Sequence, residues 1–209
     1  MKILIIGASR GIGFSLFNQA LSAAHEVTAM ARDPSRLGVL NKQARVLKGD
    51  ILDMNDLKEA VHGQEGVCIT IGVKPAFKPV TVFSEGTRNV VNVMKNSNVK
   101  KLICVTGIGA GDSKGHGGFL YDRIFNPLLL KTIYQDKDRQ EEIVRTSDLD
   151  WEILRPGFLT NGSRTGRYRV VTDLTGFTAG KISREDTADY ILKEFAEMRY
   201  VRKSVLLNY

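Results

Sequence analysis

The 209-residue chain has only two cysteines and three histidines. His25, His62 and His116 are scattered, and neither they nor the cysteines show metal-ligand spacing, so no metal centre is predicted. Cys68 and Cys104 make no disulfide framework. Each lies in an apolar stretch that reads as a core strand, which predicts buried free thiols and a reducing, cytoplasmic setting. No apolar run approaches the ~18 to 20 residues that a membrane span requires. Outside the strands the longest is Pro127-Leu128-Leu129-Leu130, suited only to packing. The chain begins directly with a strand, which predicts no signal peptide. The formal net charge is +7, yet no Lys/Arg run is longer than a pair. That spread charge argues against a nucleic-acid surface, so neither nucleic acid nor membrane is expected as a partner.

Apolar residues make up 43% of the chain, which excludes a disordered protein and gives one domain, residues 1–209, a sizeable core. Strands and helices alternate throughout. Strands are predicted at 2–6, 26–30, 44–48, 66–71, 101–106, 151–154 and 204–207. Helices are predicted at about 11–24, 54–61 and 79–96, with a long helical region ending near 146 and a last helix after Ser183. Asp53 and Ser183 read as N-caps, the latter with Asp186 three residues on. Phe83, Thr87, Val90, Val91 and Met94 form the expected buried stripe of the 79–96 helix. This pattern predicts an α/β, Rossmann-like, doubly wound parallel sheet of about seven strands in the order 3-2-1-4-5-6-7, with helices on both faces. Ligands of such sheets bind at the carboxyl ends of the strands.

The most informative segment is Gly7-Ala8-Ser9-Arg10-Gly11-Ile12-Gly13. It follows the apolar run Ile3-Leu4-Ile5-Ile6 and opens a helix marked by Leu16, Phe17, Ala20, Leu21 and Ala24. Strand, glycine turn and helix N-terminus together cradle a pyrophosphate: glycines let backbone N–H groups approach it, and the helix end adds partial positive charge. A dinucleotide site is therefore expected, with Gly7, Ser9, Arg10, Gly11, Ile12 and Gly13 contributing. The spacing of Gly7, Gly11 and Gly13 resembles the short-chain dehydrogenase/reductase superfamily.

The other strand-end loops supply the remaining candidates. After the second strand stands Ala31-Arg32-Asp33, where dinucleotide binders that prefer NAD place a carboxylate for the ribose. An arginine there suits a 2′-phosphate. Arg32, with Arg10 and Arg36 as further clamps, predicts NADP, with NADPH preferred over NADH; Asp33 is the contrary sign. Asp50 and Ile51 are expected at the adenine, Ile71 and Gly72 at the ribose and pyrophosphate, and Pro156, Gly157 and Phe158 beside the nicotinamide. The segments 107–130 and 158–181, the second carrying Arg164, Arg167, Tyr168 and Arg169, are expected to border the substrate.

The superfamily resemblance implies a hydroxyl at the end of the fifth strand and a tyrosine four residues before a lysine. Thr106 can supply the hydroxyl and, with Gly107, is expected to contact the cofactor; Gly107, where a second hydroxyl is expected, has none. Counting back from Leu154-Arg155-Pro156 places the lysine at Lys137, as a nicotinamide-ribose ligand. The tyrosine register falls on Ile133; Tyr134, the candidate general acid, is one residue off, about 100° around the helix. Glu141 lies one turn beyond Lys137.

These departures resemble the atypical branch with NmrA-like or flavin-reductase/biliverdin-reductase-B-like domains. The likeness also rests on Ala31-Arg32-Asp33, Gly49-Asp50-Ile51, Ser84-Glu85-Gly86-Thr87-Arg88-Asn89 and Thr165-Gly166-Arg167-Tyr168. It implies NADPH-dependent hydride transfer to an aromatic acceptor (a flavin, quinone or linear tetrapyrrole) with little acid catalysis by the protein. Phe119, Tyr121, Phe125 and Leu128 to Leu130 are candidates for a stacking wall. Two alternatives stand beside this: a non-catalytic NADP-sensing module, and a sugar-nucleotide epimerase or dehydratase. Monomer and homodimer are both compatible with the sequence.

Overall fold

The computed structural model describes residues 1–38, 44–75, 78–119 and 121–209, with the side chains of 125–129 excepted. Eight strands form one sheet in the order β3 (Arg45–Lys48), β2 (Glu26–Ala31), β1 (Lys2–Ile6), β4 (Gly66–Ile69), β5 (Lys101–Val105), β6 (Asp150–Pro156), β10 (Lys203–Asn208), β8 (Arg169–Val171). Every pairing but the last is parallel. The helices are α1 (Gly11–Ser22), α2 (Met54–Val61), α3 (Val82–Asn96), α4 (Lys131–Arg145) and α5 (Arg184–Glu197).

Side-chain alternation along the strands builds two cores. Ile3 and Ile5 of β1 pack with Leu16, Phe17, Tyr190 and Phe195 of α1 and α5. Leu4 and Ile6 pack with Leu57, Val90, Met94 and Val144 of α2, α3 and α4. Cys68 and Cys104 fall into opposite cores, so they do not face each other. Burial pushes the Cys104 thiol up to about 12.

The expected order holds, with the strand near 204–207 (β10) beside β6. The count of about seven strands is corrected upward: β8 extends the sheet's edge, and β7 (Phe158–Thr160) pairs with β9 (Lys181–Ser183) in a small second sheet. Each of these three strands is only three residues long, too short for a period-two pattern to register. The long helical region before 146 also divides. A single 3-10 turn at Gly111–Ser113 is followed by a wide helical segment at Tyr121–Leu130, and then by α4. Pro127, which has no N–H to donate, lies within the wide segment.

The two expected caps form. Asp53 accepts from the N–H groups of Asn55 and Asp56. Ser183 Oγ accepts from Asp186 N at 2.9 Å. α3 starts at Val82 rather than 79, and the whole predicted stripe is buried. Its N-terminus is capped from another helix: Asp136 of α4, fully buried, accepts from the N–H groups of Phe83 and Ser84 and from the Ser84 hydroxyl. Gln140 Nε2 donates to Thr87 Oγ1 at 3.0 Å. Thus α4 is locked to α3, which fixes where Lys137 points. Asp186 plays a matching role on α5, accepting from the N–H groups of Thr165 and Gly166.

Candidate functional site

At the carboxyl ends of β1, β4, β5 and β6 lies a cavity of about 640 Å³, a size typical of small-molecule sites. Its floor is the glycine turn. Gly7 has φ +93° and Gly11 φ +58°, conformations that L side chains rarely adopt. A Cβ on Gly13 would collide with the Gly7 carbonyl and the Thr70 hydroxyl. Gly13 thereby brings α1 against the β1–β4 junction, although it does not itself line the cavity. Arg10 is the N-cap of α1 but makes no side-chain cap, and the first turn holds no acid. The first helical N–H groups thus meet no capping side chain, at an end carrying partial positive charge. This arrangement fits a phosphate.

Beside the turn, Arg32 and Asp50 line the cavity with Ile51, Ile71 and Gly72. Arg32 is exposed. Asp33 turns away into its own loop, where Oδ1 accepts from Ser35 N at 3.1 Å. Hydrogen bonds from Ser35 hold its carboxyl below the usual range, helped by the nearby charges of Arg10 and Arg36. Arg36 stays outside the lining. Asp50 Oδ1 accepts from Leu52 N at 3.0 Å, so it also shapes its own turn. Gly86 of α3 is needed against Ile51, whose side chain fills the space of a Cβ there.

Thr106 and Lys137 meet at the far end. Lys137 Nζ donates to the Thr106 carbonyl at 2.7 Å and lies 4.5 Å from the centre of the Phe83 ring. Burial lowers its pKa to about 8. The Thr106 hydroxyl donates to Glu141 Oε1 at 2.8 Å. Its only proton is thus committed to a carboxylate, and it faces the cavity as an acceptor. Glu141 also takes Arg155 Nε at 2.9 Å. Arg155 is 1% exposed and Glu141 2%. Asp112 pairs with Arg155 from the 3-10 turn, and a Cβ on Gly111 would strike both members of the buried pair.

Tyr134 and Gly107 are close to each other but outside the lining. The Tyr134 hydroxyl is 2.7 Å from that of Tyr121 and would be 3.3 Å from a Cβ on Gly107. Burial pushes its ionisation well above the ordinary tyrosine value. Tyr121 packs edge-on against Phe158, ring centres 5.1 Å apart. Pro156 lines the cavity, whereas Gly157 and Phe158 do not. A Cβ on Gly157 would strike the Gly180 carbonyl, so that glycine serves the packing of the small sheet. Of the proposed stacking wall, Phe119 is 75% exposed and outside the lining, while the side chains of Phe125, Leu128 and Leu129 lie outside the described residues. From the 158–181 segment, Leu159 reaches the cavity. Tyr168 instead donates to Asp189 of α5 at 2.7 Å, and Arg169 to the Tyr209 carbonyl.

Three features go beyond the sequence-based expectations. Arg184 and Lys74 line the cavity, and the Glu141–Arg155 pair supports Thr106 from behind. Glu141 had been placed on the right helix, but nothing local links it to Arg155. Arg184 follows a recognisable cap, and that was its only signal.

A sequence model of the NAD(P)H-binding family matches residues 7–197. The chain belongs to this family. It is 26% identical over 204 residues to YwnB, an uncharacterized protein of Bacillus subtilis, covering 96% of this chain and 93% of that one. Its fold is similar to that of ChuY, an anaerobillin reductase from Escherichia coli O157:H7 (23% identity, TM-score 0.83, 100% and 97% of the two chains). It is also similar to a short-chain dehydrogenase/reductase from Veillonella parvula in complex with NADP (20% identity, TM-score 0.82, 100% and 94% covered). Family and fold together make the chain an NAD(P)H-binding protein with a Rossmann-like, mostly parallel sheet. Among the described residues no helix is long and apolar enough to cross a membrane.

Proposed function

We propose that the protein is an NADPH-dependent oxidoreductase that passes hydride to an aromatic acceptor: a flavin, a quinone or a linear tetrapyrrole. The observation carrying this reading is one cavity with the glycine turn at one end and Lys137 with Thr106 at the other. The bound nicotinamide would supply the hydride. Lys137 would donate to the nicotinamide ribose, and the acceptor-only Thr106 hydroxyl would receive a hydrogen bond from that half of the cofactor. Asp50 and Ile51 would flank the adenine, and Ser9, Ile12, Ile71, Gly72 and Pro156 would shape the path between the two ends. Tyr134, held against Tyr121 behind Gly107, is assigned a packing role. A flavin or tetrapyrrole tolerates this arrangement, because orientation against the nicotinamide dominates and water can deliver the proton. The preference for NADPH rests on Arg32 at the cavity and on Asp33 being turned into its own loop. The ChuY fold likeness is compatible with a tetrapyrrole acceptor.

A non-catalytic NADP sensor is the second reading, favoured by the absence of a tyrosine from the lining. NADPH oxidation followed by near-ultraviolet absorbance, with FMN, riboflavin, a quinone and biliverdin as acceptors and NADH as control, separates the two. Turnover with any acceptor, faster with NADPH, is the expected result. Tight NADPH binding without turnover across the panel would establish the sensor instead.

A further inference from the structure

Arg184 opens α5, far along the chain from the glycine turn, yet its side chain lines the same cavity. Its Nε lies 3.9 Å from where a Cβ on Gly11 would stand. Its Nη1 donates to the Thr160 carbonyl at 3.0 Å and to Asn161 Oδ1 at 2.7 Å. Both anchors are neutral, so they orient the guanidinium without cancelling its charge. Among the described residues no carboxylate forms an ion pair with it, in contrast to Arg139, Arg145, Arg155 and Arg199. The anchoring residues are themselves placed: Thr160 ends β7, β7 pairs with β9, and Ser183 at the end of β9 caps α5.

We propose that Arg184 is the clamp for the cofactor's pyrophosphate, closing over the glycine turn and tying the β7–β9 sheet to the bound dinucleotide. The proposal rests on the dinucleotide reading of the cavity. A guanidinium fixed on one edge has its other edge free to fork onto phosphate oxygens with little further loss of side-chain entropy. It implies a division of labour. Arg184 acts on the group common to both nicotinamide dinucleotides, whereas Arg32 acts on the 2′-phosphate that distinguishes them.

The test is a fluorescence titration of the wild type, Arg184→Gln, Arg184→Lys, Asn161→Ala and Arg32→Ala with NADPH and with NADH. Losing a charge-assisted contact predicts that Arg184→Gln weakens both cofactors by about tenfold or more, and by the same factor. Arg184→Lys should recover part of that loss. Asn161→Ala removes an anchor but keeps the charge, so it should cost less than Arg184→Gln. Arg32→Ala should lower the preference for NADPH alone. Binding of both cofactors by Arg184→Gln at wild-type strength would overturn the clamp, as would a loss confined to NADPH. A purely structural role would make Asn161→Ala as damaging as Arg184→Gln and leave Arg184→Lys without rescue, and that pattern also overturns it. A wild type that binds neither dinucleotide would instead overturn the underlying reading of the cavity.

Discussion

At the glycine-turn end of the cavity nearly every determinant is backbone: two positive-φ glycines, a third with no room for a Cβ, and an uncapped helix start. At the Lys137 end the determinants are side chains from three separate elements. Thr106 follows β5, Lys137 and Glu141 come from α4, and Arg155 from β6. The glycine turn itself is assembled within seven consecutive residues, with Arg32 and Arg184 added from other elements. The second end exists only after α4 has docked on α3 and β5 has paired with β6. The two ends should therefore fail differently: the turn through local clashes that abolish binding, the Lys137 end through loss of buried charge pairing that weakens the whole fold.

The largest effect should come from breaking that buried pair. Among the described residues, Glu141→Ala leaves the buried Arg155 guanidinium with only Asp112, itself exposed, in range. Removing one partner of such a pair costs about 3–5 kcal/mol, to be read from urea denaturation. The double change Glu141→Leu with Arg155→Met should cost less than Glu141→Ala. If Glu141→Ala proves neutral, the pair is not what holds the Lys137 end together.

Gly13→Val comes next. Its side chain would meet the backbone of Gly7, which cannot rotate away, and overpacking of this kind costs about 1–3 kcal/mol. Cofactor binding should fall much further than stability does, because the clash displaces the turn itself. A variant that keeps wild-type NADPH affinity would show that the turn is not the phosphate seat.

Lys137→Met should weaken NADPH by about tenfold through the loss of one charged donor. The pH dependence sharpens this prediction. Burial has lowered the Lys137 pKa to about 8, so the ammonium proposed to bind the ribose is lost as pH rises through that value. Wild-type affinity should decline from pH 7 to pH 9, and that of the variant should stay flat by comparison.

The smallest effect on cofactor binding is expected from a control on the other sheet face. Glu152 is fully buried, but its cation neighbour Arg199 pairs with Glu194. It accepts from Tyr190 at 2.8 Å, and burial raises its pKa to about 8 from 4.5, with Glu194 adding to the rise. Between those values the folded chain holds a proton that the unfolded chain releases, so stability declines as pH rises through about 8. Glu152→Gln should leave Tm near that of the wild type at pH 5 and raise it at pH 8, without touching NADPH affinity. An unchanged Tm difference across pH would mean that Glu152 is ionised in the fold.

Legibility followed the same division. The strand order, the buried stripe on α3 and the caps at Asp53 and Ser183 all express periodicities or short-range hydrogen bonds, so they could be read from the chain. Gly7, Gly11 and Gly13 were equally plain. Lys137 was found by counting back from Arg155-Pro156 on a family register, and it does line the cavity. The placement of Tyr134 behind Gly107 was beyond that count, since it depends on Tyr121 arriving from the wide helical segment. β7, β8 and β9 were invisible because three residues carry no period. Arg184 had no signal beyond the Ser183 cap, because Gly11, which it overhangs, lies at the other end of the chain.

The sequence by itself determined that this chain folds as a doubly wound α/β domain with a glycine-rich turn after β1, because those features depend on residues a few positions apart. Only the tertiary structure decided that the Thr106 proton is spent on Glu141, that Arg155 is buried behind it, and that Arg184 overhangs Gly11. Each of these joins side chains distant along the chain, and their distances are set by how helices pack across a sheet rather than by local conformational preference.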